Sequence, residues 1–258
     1  MHNLTKLLKN IQTSLEQRQI RRQKYLFLFS HMRSRSSVLS HILGSNPEIC
    51  GYSELHLFYK NMIMLKKMKE ELSSEHILSK KQYLFDKILH NFDFSDEIFT
   101  ATNSKFIFLL RKPESSFKSI INMGYLTGVD WYKDPKQVVN YYISRLEGLE
   151  KLSEKAKDNY FFLESDDLIE NTETTLHNLS NWLMLKQPLN TEYTIFKNTG
   201  KPKFGDPSDK IKSGKIIKTE EHKDIVLPQE ILQQGQIYYE KCKKILSSNA
   251  INCMKKRC

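Results

Sequence analysis

The stretch YLFLFSHMRSRSSVLSHILGSNPEICGYSE, residues 25–54, decides the fold of this chain. Residues 25–30 are an apolar run with two hydrophobic faces, which predicts a buried central strand of a parallel sheet. A turn rich in serine and arginine follows at residues 31–37, and residues 36–44 have the spacing of a helix that closes at Gly44. In α/β proteins, a strand followed by a turn and the start of a helix commonly binds an anion, because the backbone N–H groups at the start of the helix point outward.

A second apolar run is also followed by basic and hydroxyl side chains. Residues 106–110 are apolar and end at Arg111, and Ser119 follows eight residues after this arginine. Arg111 is expected at the carboxyl edge of the sheet, where open α/β sheets bind ligands, and the intervening turn can bring Ser119 back toward it. The alternative for Arg111 is an ion pair with a surface carboxylate. Two anion-binding strand ends predict a ligand with two separated phosphates.

The remaining sequence alternates between strand and helix patterns. Residues 160–164 predict a third strand. The helical segments are 4–22, 54–90, 136–157, 173–185 and 221–247. Strands that alternate with helices predict an α/β fold, a single domain with a central parallel sheet flanked by helices on both faces. We expect residues 1–24 to form an N-terminal helical extension and residues 25–258 to form the domain.

Composition agrees with a folded domain that binds an anion. The chain has 258 residues, of which 39% are hydrophobic and 27% charged, so it can bury a core. The net charge of +10 is explained either by a solvated lysine-rich surface or by attraction of an anionic substrate. Because the lysines are scattered and form no basic block, we expect no nucleic-acid partner.

Cysteine usage and hydropathy indicate the compartment. The 4 cysteines, Cys50, Cys242, Cys253 and Cys258, form no C-x-x-C pair, so neither a zinc site nor a redox motif is indicated. No apolar run approaches the ~18 residues needed to cross a bilayer, and no signal peptide is visible. We therefore expect a cytoplasmic protein with no transmembrane segment, whose basic N-terminal helix could contact an anionic membrane surface.

The first turn, HMRSRSS, can bind a terminal phosphate although it lacks the G-x-x-x-x-G-K-[ST] pattern of ATPases and GTPases. The hydroxyls of Ser34, Ser36 and Ser37 can donate hydrogen bonds, and Arg33 adds a planar cation. The alternative is N-terminal capping of a helix by one serine beside an incidental arginine.

Together the two motifs resemble those of sulfotransferases that use 3′-phosphoadenosine 5′-phosphosulfate (PAPS). In that family a turn after the first strand binds the 5′-phosphosulfate, and a later strand ending in arginine, with a serine eight residues on, binds the 3′-phosphate. Here RSRSS at residues 33–37 resembles the first motif, and Arg111 with Ser119 the second. GSNPEICGYSE at residues 44–54 resembles the stretch after the first motif, and GDPSDKIKSGKI at residues 205–216 resembles the loop that closes on the donor.

The resemblance implies a P-loop-NTPase-like sheet and transfer of the PAPS sulfonate to a hydroxyl of a glycan, lipid or small metabolite. The product would be adenosine 3′,5′-bisphosphate (PAP), the partners are small molecules, and no metal is implied. The residues that the resemblance assigns to donor binding are Arg33, Ser34, Arg35, Ser36, Ser37, Arg111, Ser119, Lys210, Lys212 and Ser213.

The resemblance also suggests the catalytic groups. Glu54 matches the position of the catalytic glutamate in tyrosylprotein sulfotransferases and is favoured as the base, with His56 as its rival. The alternatives are an ordinary helix-start glutamate and a structural histidine. Arg33 would face the 5′-phosphate and the bridging oxygen, and Lys210 or Lys212 would neutralise the moving sulfonate.

Two positions depart from the family pattern. Arg35 replaces the usual glycine of the first turn, so the backbone there must accept a side chain. Ser165-Asp166-Asp167-Leu168 stands where the family has Tyr-Glu-Asp-Leu, and the tyrosine that often lies near adenine is absent. The adenine contact is therefore unassigned.

Two other functions fit parts of the sequence. One is an ATP-dependent kinase of small molecules, against which the missing P-loop lysine counts. The other is a non-enzymatic basic module that binds nucleic acid or another polyanion with steep salt dependence.

Overall fold

The structure is a computed structural model that describes residues 14, 18–75, 81–100, 102–157, 159–201, 206, 208–218, 222 and 224–254. Of the predicted first helix, residues 14 and 18–22 are described and are helical. The rest of that helix lies outside the described residues, so the boundary at residue 24 and the membrane contact stay predictions. None of the described helices is long and apolar enough to cross a membrane.

Five strands form one parallel sheet: β1 (Lys24–Ser30), β2 (Ile49–Cys50), β3 (Tyr83–Ile88), β4 (Asn103–Leu110) and β5 (Tyr160–Glu164). Their spatial order is β2-β3-β1-β4-β5, which places the first strand at the centre as its two hydrophobic faces predict.

Helices lie in the connections between the strands and after the last strand: α1 (Ser36–Ser45), α2 (Ile63–Glu75), α3 (Asp96–Thr100), α4 (Pro113–Thr127), α5 (Asp130–Lys133), α6 (Pro135–Ala156), α7 (Asp167–Glu170), α8 (Thr172–Leu183), α9 (Gln229–Asn249) and α10 (Ile251–Met254). A short 3₁₀ helix spans Asp209–Ser213. Both α4 and α6 begin at a proline, whose missing N–H is harmless there.

Alternate side chains of the strands divide the core into two layers. Tyr25, Phe27 and Phe29 pack with apolar residues of α2, α4, α6 and α9 on one face of the sheet. Leu26 and Leu28 pack with α1 and α8 on the other face. This alternation follows from the period of two in a strand, and it confirms the predicted α/β fold with helices on both faces.

The predicted helix over residues 54–90 is wrong in part. The chain forms α2 at Ile63–Glu75 and then the strand β3, and it has no regular structure over residues 54–62. All six residues of YLFDKI in β3 are buried between β1 and β2. Two charged residues in this run hide its strand character, and burial in the sheet overrides their preference for solvent.

Strand register positions the site. Ser30 at the end of β1 is paired with Leu109 near the end of β4, so the two strands end side by side. The next two strands along the chain, β2 and β3, lie on one side of β1 in the sheet, whereas β4 lies on its other side. Such a switch in strand order opens a crevice at the carboxyl edge, where open α/β sheets bind ligands.

Candidate active site

A cleft of about 600 Å³ opens at this edge of the sheet. It brings together most of the residues predicted from sequence: Arg33, Arg35, Ser36, Ser37, Glu54, His56, Arg111, Ser119 and Lys210. Small-molecule sites in proteins typically have volumes of roughly 300–1,000 Å³, so the volume of this cleft suits a ligand of nucleotide size.

The turn after β1 has a strained backbone. Arg33 and Arg35 have φ values of 58° and 67°, in the left-handed region that favours glycine. Arg35 thus keeps the backbone shape of the glycine it replaces. Its Nη1 donates to Oδ1 of Asp166 at 2.8 Å and to the carbonyl oxygen of Ser165 at 3.2 Å. These bonds tie the strained turn to the chain just beyond β5.

The two predicted anion motifs meet in this cleft. Nε of Arg33 donates to Oγ of Ser119 at 2.9 Å. Nη1 of Arg111 donates to the carbonyl oxygen of Arg33, also at 2.9 Å. Residues far apart in the chain therefore form one continuous cationic wall, and each motif helps to orient the other.

His31 joins the two strand ends beneath that wall. Its Nε2 accepts from the backbone N–H of Arg111 at 3.1 Å, so the ring proton lies on Nδ1, which donates to the carbonyl oxygen of Met32 at 2.9 Å. Burial lowers the pKa of His31 to about 3. The ring is therefore neutral at physiological pH and serves as a fixed structural link.

Asp206 forms an ion pair with Arg33 inside the cleft. Its Oδ1 lies 2.9 Å from Nη1 of Arg33, and its backbone N–H donates to Oγ of Ser37 at 3.0 Å. Burial alone would raise the pKa of this carboxyl, but the charge and hydrogen bonds of Arg33 hold it below its usual value. The carboxylate therefore occupies the arginine that the resemblance assigns to the 5′-phosphate.

Glu54 is joined to the turn after β1 by a lysine. Oε1 of Glu54 lies 3.4 Å from Nζ of Lys87, and the same Nζ donates to Oγ of Ser37 at 3.3 Å. The Lys87 side chain is 1% exposed. Sequence reasoning missed this residue because its strand was taken for a helix. The signal was present in YLFDKI, an apolar run of strand length with charges near its carboxyl end.

Asp86 holds the chain segment that carries Glu54. Its Oδ1 accepts from the backbone N–H of Leu55 at 2.9 Å, and its Oδ2 accepts from the hydroxyl of Tyr59 at 2.6 Å. Burial raises the pKa of Asp86 to about 6 although these bonds favour the charged form. The strand β3 therefore positions Glu54 through two adjacent residues, Asp86 and Lys87.

Two histidines line the cleft near Glu54. His56 is exposed and has a left-handed backbone, with φ of 54°. His90, which sequence reasoning did not select, is half-buried, and burial lowers its pKa while the charge of Glu54 opposes that change. The buried Arg145 donates to the carbonyl oxygens of Ser30 and His90, which fixes the chain beside β1.

Three predicted donor-binding residues lie outside the cleft wall. The hydroxyl oxygens of Ser34 and Ser30 are 2.6 Å apart within the core. Nζ of Lys212 pairs with Oδ1 of Asp209 at 2.8 Å, and the Ser213 hydroxyl donates to the backbone of the same loop. Their part in binding stays a prediction, whereas Lys210 and Lys215 of the same loop line the cleft.

No group of His, Cys, Asp and Glu side chains suited to a metal ion occurs within the part of the chain that the structure describes. Gly205 and Pro207 of the predicted closing loop lie outside that part.

The fold has clear relatives among solved structures. The sulfotransferase domain from the curacin biosynthetic pathway is 17% identical, with a TM-score of 0.61 over 86% of this chain and 98% of that chain. The sulfotransferase domain from the Synechococcus PCC 7002 olefin synthase is 14% identical, with a TM-score of 0.53 over 84% of this chain and 94% of that one. The chain has the sulfotransferase fold.

This finding confirms, at the level of the fold, the resemblance that the two motifs indicated. No family model matches the sequence, and no curated protein matches it. Short motifs and backbone geometry, and not overall sequence identity, connect this chain to the sulfotransferase fold.

Proposed function

We propose that this protein is a PAPS-dependent sulfotransferase that acts on a hydroxyl group. The convergence of Arg33, Arg111 and Ser119 on one cleft carries the proposal, because these groups come from the two motifs assigned to opposite ends of one donor. The sulfotransferase fold supports it further.

The cleft residues fit a ligand with two anionic ends. Arg33 and the N-terminus of α1 hold the 5′ end, where the Asp206 carboxylate already pairs with Arg33. Arg111 and Ser119 hold the 3′-phosphate. Arginine suits both positions because its planar guanidinium can donate two parallel hydrogen bonds to one phosphate.

The donor supplies an activated sulfonate, and the residues of the chain orient it and move one proton. The acceptor oxygen bonds to sulfur as the bond between sulfur and the leaving phosphate oxygen breaks. Glu54 accepts the proton of the acceptor hydroxyl. Because such a transition state is loose and in line, most of the catalysis comes from position and charge.

Lys87 connects the two halves of this reaction. Its ammonium group lies within 3.4 Å of both the Glu54 carboxylate and the Ser37 hydroxyl, so from its buried position it orients these two groups and balances the charge of Glu54. Lys210, which lines the cleft, keeps the role of neutralising charge on the moving sulfonate. His90, beside Glu54, is a second group that can exchange a proton with the acceptor.

Calorimetric titration with PAP tests the donor site directly. We expect wild-type protein to bind PAP without magnesium and to prefer it over ATP with magnesium. A preference for ATP would favour a kinase. Binding of PAP and heparin with equally steep salt dependence and no nucleotide preference would favour a polyanion-binding module.

A further inference from the structure

One face of α4 lines the cleft, with two serines in its first half and Met123 and Thr127 farther along. Ser115, Ser119, Met123 and Thr127 all line the cleft at intervals of four residues, which is the spacing of one helix face. The serines lie near Arg111 at the donor end. From Ser119 to Thr127 the helix rises about 12 Å, so the cleft extends well beyond the phosphate-binding groups.

The far part of the cleft lies beside the proposed base. A Cβ atom on Gly124 would lie 2.7 Å from Cβ of Tyr132, so Tyr132 packs directly against α4 next to Met123. Burial raises the pKa of Tyr132, and the charge of Glu54 adds to the rise, which places the two groups near each other. We call this part, lined by Met32, Leu89, Met123, Val129 and Tyr132, the acceptor pocket.

A row of rings in mutual contact includes two residues that line the cleft, His90 and Tyr132. It runs through Phe58, Phe92, His90, Tyr141, Trp131 and Tyr132, with centroid separations between 4.3 and 5.9 Å. The hydroxyl of Tyr141 accepts from the backbone N–H of Met32 and donates to the carbonyl oxygen of Leu89, which fixes these two apolar residues side by side. Phe58, at the outer end of the row, is 48% exposed.

We propose that the acceptor is an alcohol or phenol with an apolar body, and not a sugar. This inference rests on the proposed function, since it assigns the second substrate of the same cleft. Outside the donor motifs, the polar side chains of the cleft wall include His56, His90, Thr127 and the Tyr132 hydroxyl. They suffice to orient one reacting hydroxyl, whereas the rest of the pocket is apolar.

A sugar would fit this pocket poorly. Hydroxyls placed against Met32, Leu89, Met123 or Val129 lose their bonds to water and gain no partner there. Each such hydroxyl lowers affinity by roughly tenfold. An alkyl or aryl body instead gains from leaving water, roughly threefold to fourfold per buried methylene.

The test compares probe acceptors on wild-type protein saturated with PAP. Calorimetry measures binding of 1-butanol, 1-hexanol, 1-octanol and methyl glucoside, and turnover with PAPS is measured for the same compounds. We expect affinity to rise roughly 100-fold from 1-butanol to 1-octanol. Absence of that rise, failure of every alkanol to bind, or methyl glucoside binding as tightly as 1-octanol would overturn the inference.

Two variants on α4 locate the pocket. Met123→Asn should weaken 1-octanol binding roughly tenfold and leave PAP affinity within about twofold. Leu126→Asn, on a side chain 71% exposed on the same helix, is the matched control and should change neither. The wild-type series tests the inference even where a variant fails to fold. Intact PAP binding with no alkanol binding refutes the acceptor class alone, whereas no PAP binding to wild type refutes the proposed function as well.

Discussion

Replacing Arg111 with alanine separates two contributions that the structure combines in one side chain. Nη1 of Arg111 donates to the carbonyl oxygen of Arg33 and so supports the turn after β1. The same guanidinium lines the cleft, where we assign it to the 3′-phosphate. Loss of the first contact affects every ligand of the turn, whereas loss of the second affects only ligands with a 3′-phosphate.

Comparing PAP with adenosine 5′-monophosphate distinguishes these contributions. A hydrogen bond to a charged group contributes about 1.5–3 kcal/mol, so Arg111→Ala should remove about 2 kcal/mol of the binding energy that comes from the 3′-phosphate. That corresponds to roughly 30-fold in Kd for PAP beyond any loss seen for the monophosphate. The preference for PAP over the monophosphate should therefore fall by roughly this factor in the variant.

Calorimetry with both ligands at one fixed ionic strength measures this coupling as a mutant cycle. Lys112→Ala is the matched control, since it removes the same charge from the next residue, whose side chain is 59% exposed and paired with Asp166. It should leave the preference unchanged. If Arg111→Ala weakens PAP and the monophosphate by equal factors, Arg111 acts through the turn alone and our assignment of the 3′-phosphate is refuted.

The other predictions concern single carboxylates. Asp206→Asn frees Arg33 from its ion pair and should tighten PAP binding roughly tenfold; weaker binding by calorimetry would mean that the carboxylate organises Arg33 for the ligand. Glu54→Gln should lower turnover ~10²–10⁴-fold with PAP affinity within about twofold, and near-normal turnover would remove Glu54 from the mechanism. Asp86 has its pKa raised to about 6, so the stabilisation by its protonated form is present below about pH 4 and lost as pH rises through about 6. The unfolding free energy of wild type minus that of Asp86→Asn should decline across this range, and a flat difference would contradict the assignment.

Local sequence determined the elements whose signals are short and strong. The apolar runs at β1, β4 and β5 are buried on both faces, and the helix starts at Pro113 and Asp134-Pro135 follow from capping and from the missing proline N–H. The arginines and hydroxyl side chains that meet in the cleft were likewise visible in sequence, because they directly follow the apolar runs of β1 and β4.

Only tertiary structure decided how these parts combine. Parallel pairing of β1 with β4 brings Arg33 to Ser119 and Arg111 to the Arg33 carbonyl, which no local signal specifies. The buried position of Lys87 could not be predicted from sequence for the same reason. A charged residue is buried in a strand only when distant groups, here Glu54 and Ser37, compensate its charge. Sequence patterns report what each segment prefers by itself, whereas the charge balance of a buried site depends on contacts between segments far apart in the chain.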